Sequence, residues 1–283
     1  MPGWDTDLVI DLFLESAEIA RRIKTDPVIE VKSDRTPVSN ADKSIENLLT
    51  QRLKAENLLG EETFLKRPHD ELMNQLLHGR IWIVDPIDGT ANFINRRPIW
   101  GISIGYAENG TLVRGGVYLP ELGQLMITGN DGKTLFADAD CRYPGYDALS
   151  RKLIPARFPN RPFNETSCIN LSQVFTKRGR FTGSNPVVTI GSCVCSGMDL
   201  VLGRDAVYIT HAKLWDLAGL LPCLADLGFY AVNRSGLSLL SCRITAELFQ
   251  LEAHARNPFA LRESHWIGIS REAVETVMQL CQF

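Results

Sequence analysis

Asp85 and Asp88 stand three residues apart in the stretch 81–90, Ile-Trp-Ile-Val-Asp-Pro-Ile-Asp-Gly-Thr. The four apolar residues ahead of Asp85 read as a buried strand, and Gly89-Thr90 opens a helix. Two carboxylates at a strand's end, just before a helix N-terminus, suit an oxygen-loving divalent cation and a bound phosphate together. An unpaired buried charge is costly, so an Asp beside a buried strand calls for a partner. The same spacing also fits an Asp-Pro turn followed by an Asp helix cap. Spacing alone leaves both readings open.

The elements that must position these carboxylates can be read along the chain. Residues 5–24 form an amphipathic pattern with Leu8, Leu12, Ile19 and Ile23 among its apolar positions, which predicts a helix. Residues 28–32 read as extended and 33–37 as a turn. A second helix begins near Asn40 or Ala41 and carries Ile45, Leu48, Leu49 and Leu53 at helical spacing. Asp42 lies in its first turn, where a negative charge complements the macrodipole, and that is by itself an adequate structural account of it. Residues 57–79 read as a polar loop around Gly60-Glu61-Glu62-Thr63. From 99 to 137, turn residues recur between short apolar runs and predict a β-meander. The stretch 138–185, rich in Pro, Arg and Asn, reads as irregular. It is the expected boundary between an N-terminal half, 1–140, and a C-terminal half, 141–283. Beyond it come a strand near 187–191, Cys193 and Cys195 alternating as on a strand, and a helix or strand near 196–203. A strand at 206–210 and a helix over 216–228, kinked by Pro222, follow. A strand near 266–270 and a helix at 271–281 close the chain. Helices interleaved with short strands and a central meander indicate a layered mixed α/β protein.

Composition narrows the function classes. A chain of 283 residues can bury a sizeable core, as one large domain or two closely packed halves. The net charge of −3 comes with no basic block, so the electrostatic footprint of a nucleic-acid binder is missing. No run approaches the roughly 18 apolar residues of a membrane span, and the start lacks the basic and apolar regions of a signal peptide. Seven cysteines, with no Cys-x-x-Cys, read as reduced and mostly buried thiols of a cytoplasmic protein. The five histidines are dispersed and form no metal pair.

Three separated segments then fall into one pattern. Gly60-Glu61-Glu62, the run from Asp85 to Thr90, and Trp215-Asp216-Leu217-Ala218-Gly219 resemble, in order and approximate spacing, the signature of the inositol monophosphatase family. These are magnesium-dependent, lithium-sensitive phosphatases. The likeness extends to Lys32-Ser33, to Val38 through Asp42, to Asn92-Phe93 through Gly105, and to Gly203 through Tyr208. It implies an α+β fold, a layered αβαβα sandwich of the sugar-phosphatase type, with the site between the halves. It also implies that Glu61, Asp85 and the Ile87 carbonyl hold one Mg²⁺, and that Asp85, Asp88 and Asp216 hold a second. Hard oxygen donors, few enough to leave room for water and phosphate, are what Mg²⁺ prefers. Two such cations clamp an in-line attack of water at phosphorus. By the same resemblance, Thr90, hydrogen-bonded to Asp42, orients the water and accepts its proton, with Glu61 assisting. The Gly89 and Thr90 amides receive phosphate oxygens. Lys32 is expected either to neutralise site charge or to lie on the surface, and Ser192 to contact phosphate or substrate. The implied partner is a small-molecule phosphate ester, and the implied assembly a homodimer.

The pattern breaks where substrate is chosen. Animal-type relatives use a glutamate seven residues before the second-metal aspartate to bind inositol hydroxyls; here that position is Ile209. An apolar residue there is expected to lose that selectivity. Leu220 stands where a small residue is usual, and Lys213 where many relatives carry histidine. Thr36 through Ser39, Arg97 through Trp100 and Leu214 through Ala218 look like the bacterial histidinol-phosphatase branch. A branch acting on 3′-phosphoadenosine 5′-phosphate shares the opening around Lys32. Trp100 reads either as a ring that stacks on substrate or as a core residue. The expected activity is therefore inositol-1-monophosphatase-like, with histidinol phosphate or a 3′(2′),5′-bisphosphate as alternative substrates. A non-catalytic metal-binding protein on the same fold and a metal-dependent nuclease are the competing classes.

Overall fold

The structure, a computed structural model, describes residues 3–32, 36–159 and 161–282. Of the expected turn at 33–37, residues 33–35 lie outside the described residues, as does Ser33 of the Lys32-Ser33 likeness.

Seven strands form one sheet in the order Leu58–Gly60, Arg80–Asp88, Gly101–Glu108, Thr111–Leu119, Gln124–Thr128, Thr134–Asp138, Ile154–Pro155. The first pair is parallel and the rest antiparallel, so the expected meander is present. Its tightest turn is Asn109-Gly110, where both residues have positive φ, 49° and 72°. A two-residue hairpin of this twist requires that conformation at both positions, which Asn and Gly tolerate best.

Alternation along the Arg80–Asp88 strand divides the core. Trp82 and Val84 pack with Val9, Phe13, Ile45 and Leu49 of the helices Thr6–Ile23 and Asn40–Leu53. Ile81 and Ile83 join the cluster of Met198, Leu217, Leu221 and Leu224 from the helices Cys193–Val201, Leu214–Ala218 and Leu221–Leu227. Behind these helices lies a five-stranded sheet, Val187–Val188, Cys168–Leu171, Asp205–Thr210, His265–Gly268, Tyr230–Val232. The helix Arg271–Gln279 covers its far face, where a Cβ on Gly268 would stand 2.8 Å from Val274 Cγ2. The layers therefore alternate αβαβα. Each inner layer is apolar on two sides and each outer helix on one.

Several local expectations are corrected. Residues 57–79 are not a loop: they hold the strand Leu58–Gly60, a 3₁₀ turn Phe64–Lys66 and the helix His69–His78. That helix buries only Leu72 and Leu76, too narrow a stripe to show in its polar sequence. The stretch 138–185 contains Tyr146–Ser150, Cys168–Leu171 and Gln173–Arg178. Cys193 and Cys195 lie on a helix, not a strand; that helix is enclosed on nearly every side, which erases amphipathic spacing. The single helix expected over 216–228 is two, Leu214–Ala218 and Leu221–Leu227. Pro222 sits in the first turn of the second, where a missing N–H costs little.

Leu220 fits because its neighbour has no side chain. A Cβ on Gly197 would stand 2.3 Å from Leu220 Cδ1. Gly197→Ala is therefore expected to destabilise by about 1–3 kcal/mol through overpacking, and Leu220→Ala in the same chain to return part of that loss. Denaturant melts of the two single variants and the double variant check this; strictly additive effects would count against it.

Candidate active site

In an unbroken strand, residues three apart point to opposite faces. Asp85 pairs with Ser103 and Asp88 with Gly101, so the Arg80–Asp88 strand takes one extra residue between them. That bulge lets both carboxylates line one cavity of 320 Å³. Pro86, which has no N–H to give the ladder, sits within it. Asp85 turns back to accept the Ile87 N–H at 3.0 Å. Gly89 follows with φ 88° and no room for a side chain, since a Cβ would meet Ser192 Cβ at 3.0 Å. The helix Thr90–Ile94 begins there.

Asp216 arrives from the middle layer. Its helix presses so closely on the sheet that a Cβ on Gly105 would lie 2.6 Å from the Ala218 carbonyl oxygen, and one on Gly115 2.5 Å from that of Gly219. Buried Ser103 ties the two layers, donating to the Trp215 carbonyl at 2.8 Å and accepting the Gly219 N–H at 3.1 Å. Asp216 accepts the Lys213 N–H at 2.8 Å, which fixes its direction. Glu61 arrives from the opposite side, on the end of Leu58–Gly60, with its N–H given to the Val84 carbonyl at 3.3 Å. Carboxylate oxygens of Glu61, Asp85 and Asp216 all lie within 4.8 Å of one another.

Electrostatics there are unfavourable to the bare carboxylates. Burial, then the charges of Glu61, Asp216 and Asp88, pushes Asp85 well above the usual carboxylate range. Burial followed by Asp88 and Glu61 raises Asp216 to about 7. Burial raises Asp88 to about 6 although Ser192 and the Val194 and Cys193 amides oppose it. Among the described residues, Lys32 pairs with the acidic side, 2.9 Å from Glu61 and 2.5 Å from Glu62, and Lys213 also lines the cavity. Burial disfavours the Lys32 charge, but the two glutamates outweigh that and hold it above the ordinary lysine value. Among the described residues, the ammoniums of Lys32 and Lys213 face Glu61, Glu62, Asp85, Asp88 and Asp216, which leaves excess negative charge in a low-dielectric cleft, a donor set that fits hard divalent cations.

Thr90 Oγ1 lies 3.0 Å from both Asp42 Oδ1 and the Ile87 carbonyl. Asp42 is fully enclosed, accepts the Ser39 N–H at 2.8 Å and the Ser39 hydroxyl at 2.6 Å, and is held above the usual range by burial. Ser192 hydrogen-bonds the Asp88 carboxylate, which also accepts the Val194 N–H at 2.9 Å. Asp88 stands outside the Glu61, Asp85 and Asp216 grouping and faces the start of the Cys193–Val201 helix.

Of the residues expected to bind metal, phosphate or water, all but Asp42 and Lys32 line the cavity, and those two touch residues that do. Trp100 does not: it is buried edge-on against Phe93 at 5.0 Å. Ile209 is also absent from the wall. It shares a face with Val207, while Tyr208 and Thr210 face Cys193 and the site. The selectivity argument from Ile209 therefore fails on strand parity; Tyr208, His211, Lys213, Gln173 and Asn257 line that side instead. Sequence reasoning also missed Glu46, fully buried, which accepts the Glu62 N–H at 2.8 Å. Its carboxylate lies where a Cβ on Gly60 would be, 2.3 Å from Oε1. The signal was available: Glu46 follows Asp42 by four residues, on the same helix face, among Ile45 and Leu49.

Known proteins show which family and fold this chain shares. The profile of the Inositol monophosphatase family matches residues 10–264. Human inositol monophosphatase 2 is 28% identical over 247 residues, 84% of this chain and 83% of that protein. A histidinol-phosphatase of Chlorobaculum parvum is 36% identical over 126 residues, 41% of this chain and 46% of that protein. A solved IMPase/NADP phosphatase complexed with Mg²⁺ and phosphate superposes with a TM-score of 0.71 at 19% identity, covering 97% of this chain and 93% of that one. Among the described residues, no helix is long and apolar enough to cross a membrane.

Proposed function

This chain belongs to the inositol monophosphatase family and is a phosphoric monoester hydrolase, and from that premise we propose that it releases phosphate from a small phosphorylated alcohol with the help of Mg²⁺. The observation that carries this reading is the convergence of Glu61, Asp85 and Asp216 from three distant stretches onto one point of the cleft. Glu61, Asp85 and the Ile87 carbonyl would hold one cation, and Asp85, Asp88 and Asp216 another. Bound there, Mg²⁺ supplies Lewis-acid stabilisation of the charge that develops on the phosphoryl oxygens.

The chain's own groups do the rest. Thr90's proton is committed to Asp42 or to the Ile87 carbonyl, so its lone pairs are what it offers the cavity. A water can then donate to Thr90 and lie in line with the phosphorus, and Asp42, whose basicity burial increases, draws the proton onward. The Gly89 and Thr90 amides receive phosphate oxygens. Lys32 limits repulsion between Glu61 and the incoming phosphate. The halves 1–140 and 141–283 would supply the two walls, the first Glu61 and the 85–90 stretch and the second Asp216, although 146–155 still packs with the first half's sheet. The reading includes a homodimer, carried by the family likeness, and a cytoplasmic setting, carried by the cysteine usage.

A phosphate-release screen over inositol monophosphates, histidinol phosphate and adenosine and sugar bisphosphates tests it. Release is expected with Mg²⁺, to stop with chelator, and to fall when Li⁺ or Ca²⁺ is added. No release from any ester in saturating Mg²⁺ would overturn the reading.

A further inference from the structure

A second cavity, of 450 Å³, adjoins the first, and Val174 and His211 line both. Its wall carries Arg178, Arg234 and Arg262, against one carboxylate, Glu263, among the described residues. Topology explains the convergence. The strands Cys168–Leu171 and Asp205–Thr210 are parallel and end at the same edge of the five-stranded sheet. His265 pairs with Thr210 and Val232 with Trp266, so the chain around 211, 234 and 262–266 also meets there. The helix Gln173–Arg178 leaves from that edge, and its spacing sets Val174 and Arg178 on one side. Ligands of sheets of this kind gather outside such carboxyl ends.

Two of the three guanidiniums are positioned from behind. Arg234 lies over the Trp266 ring at 5.4 Å and donates to the Cys281 carbonyl at 2.5 Å. Arg262 is paired with Glu252 and donates to the Ala246 carbonyl at 2.5 Å. Glu263 accepts the Ser235 hydroxyl at 2.9 Å. Burial, then the Arg178 charge, lowers His211 below the ordinary histidine value, and its ring lies on the wall that both cavities share.

We propose that this cavity is an anion subsite, which takes a second phosphate or carboxylate carried by the alcohol portion of the substrate. It rests on the phosphatase reading above and narrows it. Planar guanidiniums present paired N–H donors to phosphate or carboxylate, and with Arg262 paired to Glu252, Arg178 and Arg234 still exceed what Glu263 neutralises. An inositol monophosphate has no second anion to place there, and histidinol phosphate brings an ammonium, so both leave the subsite unused.

The probes are alkane monophosphonates and α,ω-bisphosphonates of matched, increasing chain length, whose P–C bonds resist hydrolysis. Each is titrated calorimetrically into the full chain with Mg²⁺. One bisphosphonate is expected to bind at least about tenfold tighter than its monophosphonate, the scale of one charge-assisted contact. Arg178→Gln, at an exposed position, and Arg262→Gln are each expected to remove most of that gain. The preference in kcat/KM for diol bisphosphates over monophosphates falls by the same factor. Equal binding of the two probe series, or a gain that survives both substitutions, overturns the subsite. Monophosphate hydrolysis without the gain removes the subsite and keeps the phosphatase reading. A retained gain with no ester hydrolysed removes the phosphatase reading instead.

Discussion

Asp85→Asn is expected to lower phosphate release by about a thousandfold or more, while raising the melting temperature of the chelator-treated protein at pH 8. The first effect follows from position: Asp85 is the fully buried member that Glu61 and Asp216 both approach. Losing several kcal/mol of charge stabilisation in the transition state corresponds to that factor. The second follows from repulsion. Asp88 and Asp216 titrate at about 6 and about 7 in the folded chain, above the ordinary carboxylate value of about 3.9 in an unfolded one. A raised folded pKa means the folded state holds more protons in between. That contribution to stability is complete below the unfolded value and is lost as pH rises through the folded ones. Without cations, the native protein should therefore melt higher at pH 5 than at pH 8. The amide at position 85 removes one repelling charge and flattens that slope. With millimolar Mg²⁺ the order reverses, because ligation stabilises the native site and the variant gains less. Melting curves in chelator and in Mg²⁺ at both pH values check the sign. A variant that melts lower in chelator at pH 8, or turns over normally, refutes the assignment of Asp85.

The carboxylates were legible in the sequence because chemistry restricts them. Few arrangements place Asp beside a buried strand, and Asp85 and Asp88 do so at a bulge that the Pro86 between them also marks. Glu61 and Asp216 were legible only through the family resemblance, since a lone loop glutamate or helix-start aspartate has ordinary explanations. The β-meander was legible because turns such as Asn109-Gly110 admit few residues. What escaped was long-range. The Cys193–Val201 helix is enclosed on nearly every side, so its burial has no period to read. Ile209 was misplaced because sequence offset counts residues and not which way a strand side chain points. The close approach of Gly105 and Gly115 to the Leu214–Ala218 helix sets the depth of Asp216, yet each glycine alone looks like a turn or a weak strand. Sites of this kind run against folding stability, gathering charge where the core excludes water.

Asp42→Asn is expected to lower kcat by about a hundred- to ten-thousandfold, the range of a lost general base, with little change in melting temperature. One Asp42 oxygen, Oδ2, accepts both the Ser39 N–H and the Ser39 hydroxyl. An asparagine must keep its carbonyl oxygen there to satisfy those buried donors. Its amide nitrogen then falls where Oδ1 was, facing Thr90. The polarity of the contact inverts: the amide donates to Thr90, and the Thr90 proton turns toward the Ile87 carbonyl or the cavity. Thr90 no longer has a base behind it to which a proton can pass. Shape and hydrogen-bond count are nearly unchanged, which is why the fold should tolerate the substitution. If Thr90 instead serves only to cap its turn, Asp42→Asn retains activity and Thr90→Val costs stability alone. If the pair acts as argued, Thr90→Ser keeps most activity, Thr90→Val loses it as fully as Asp42→Asn, and the two losses do not multiply in the double variant.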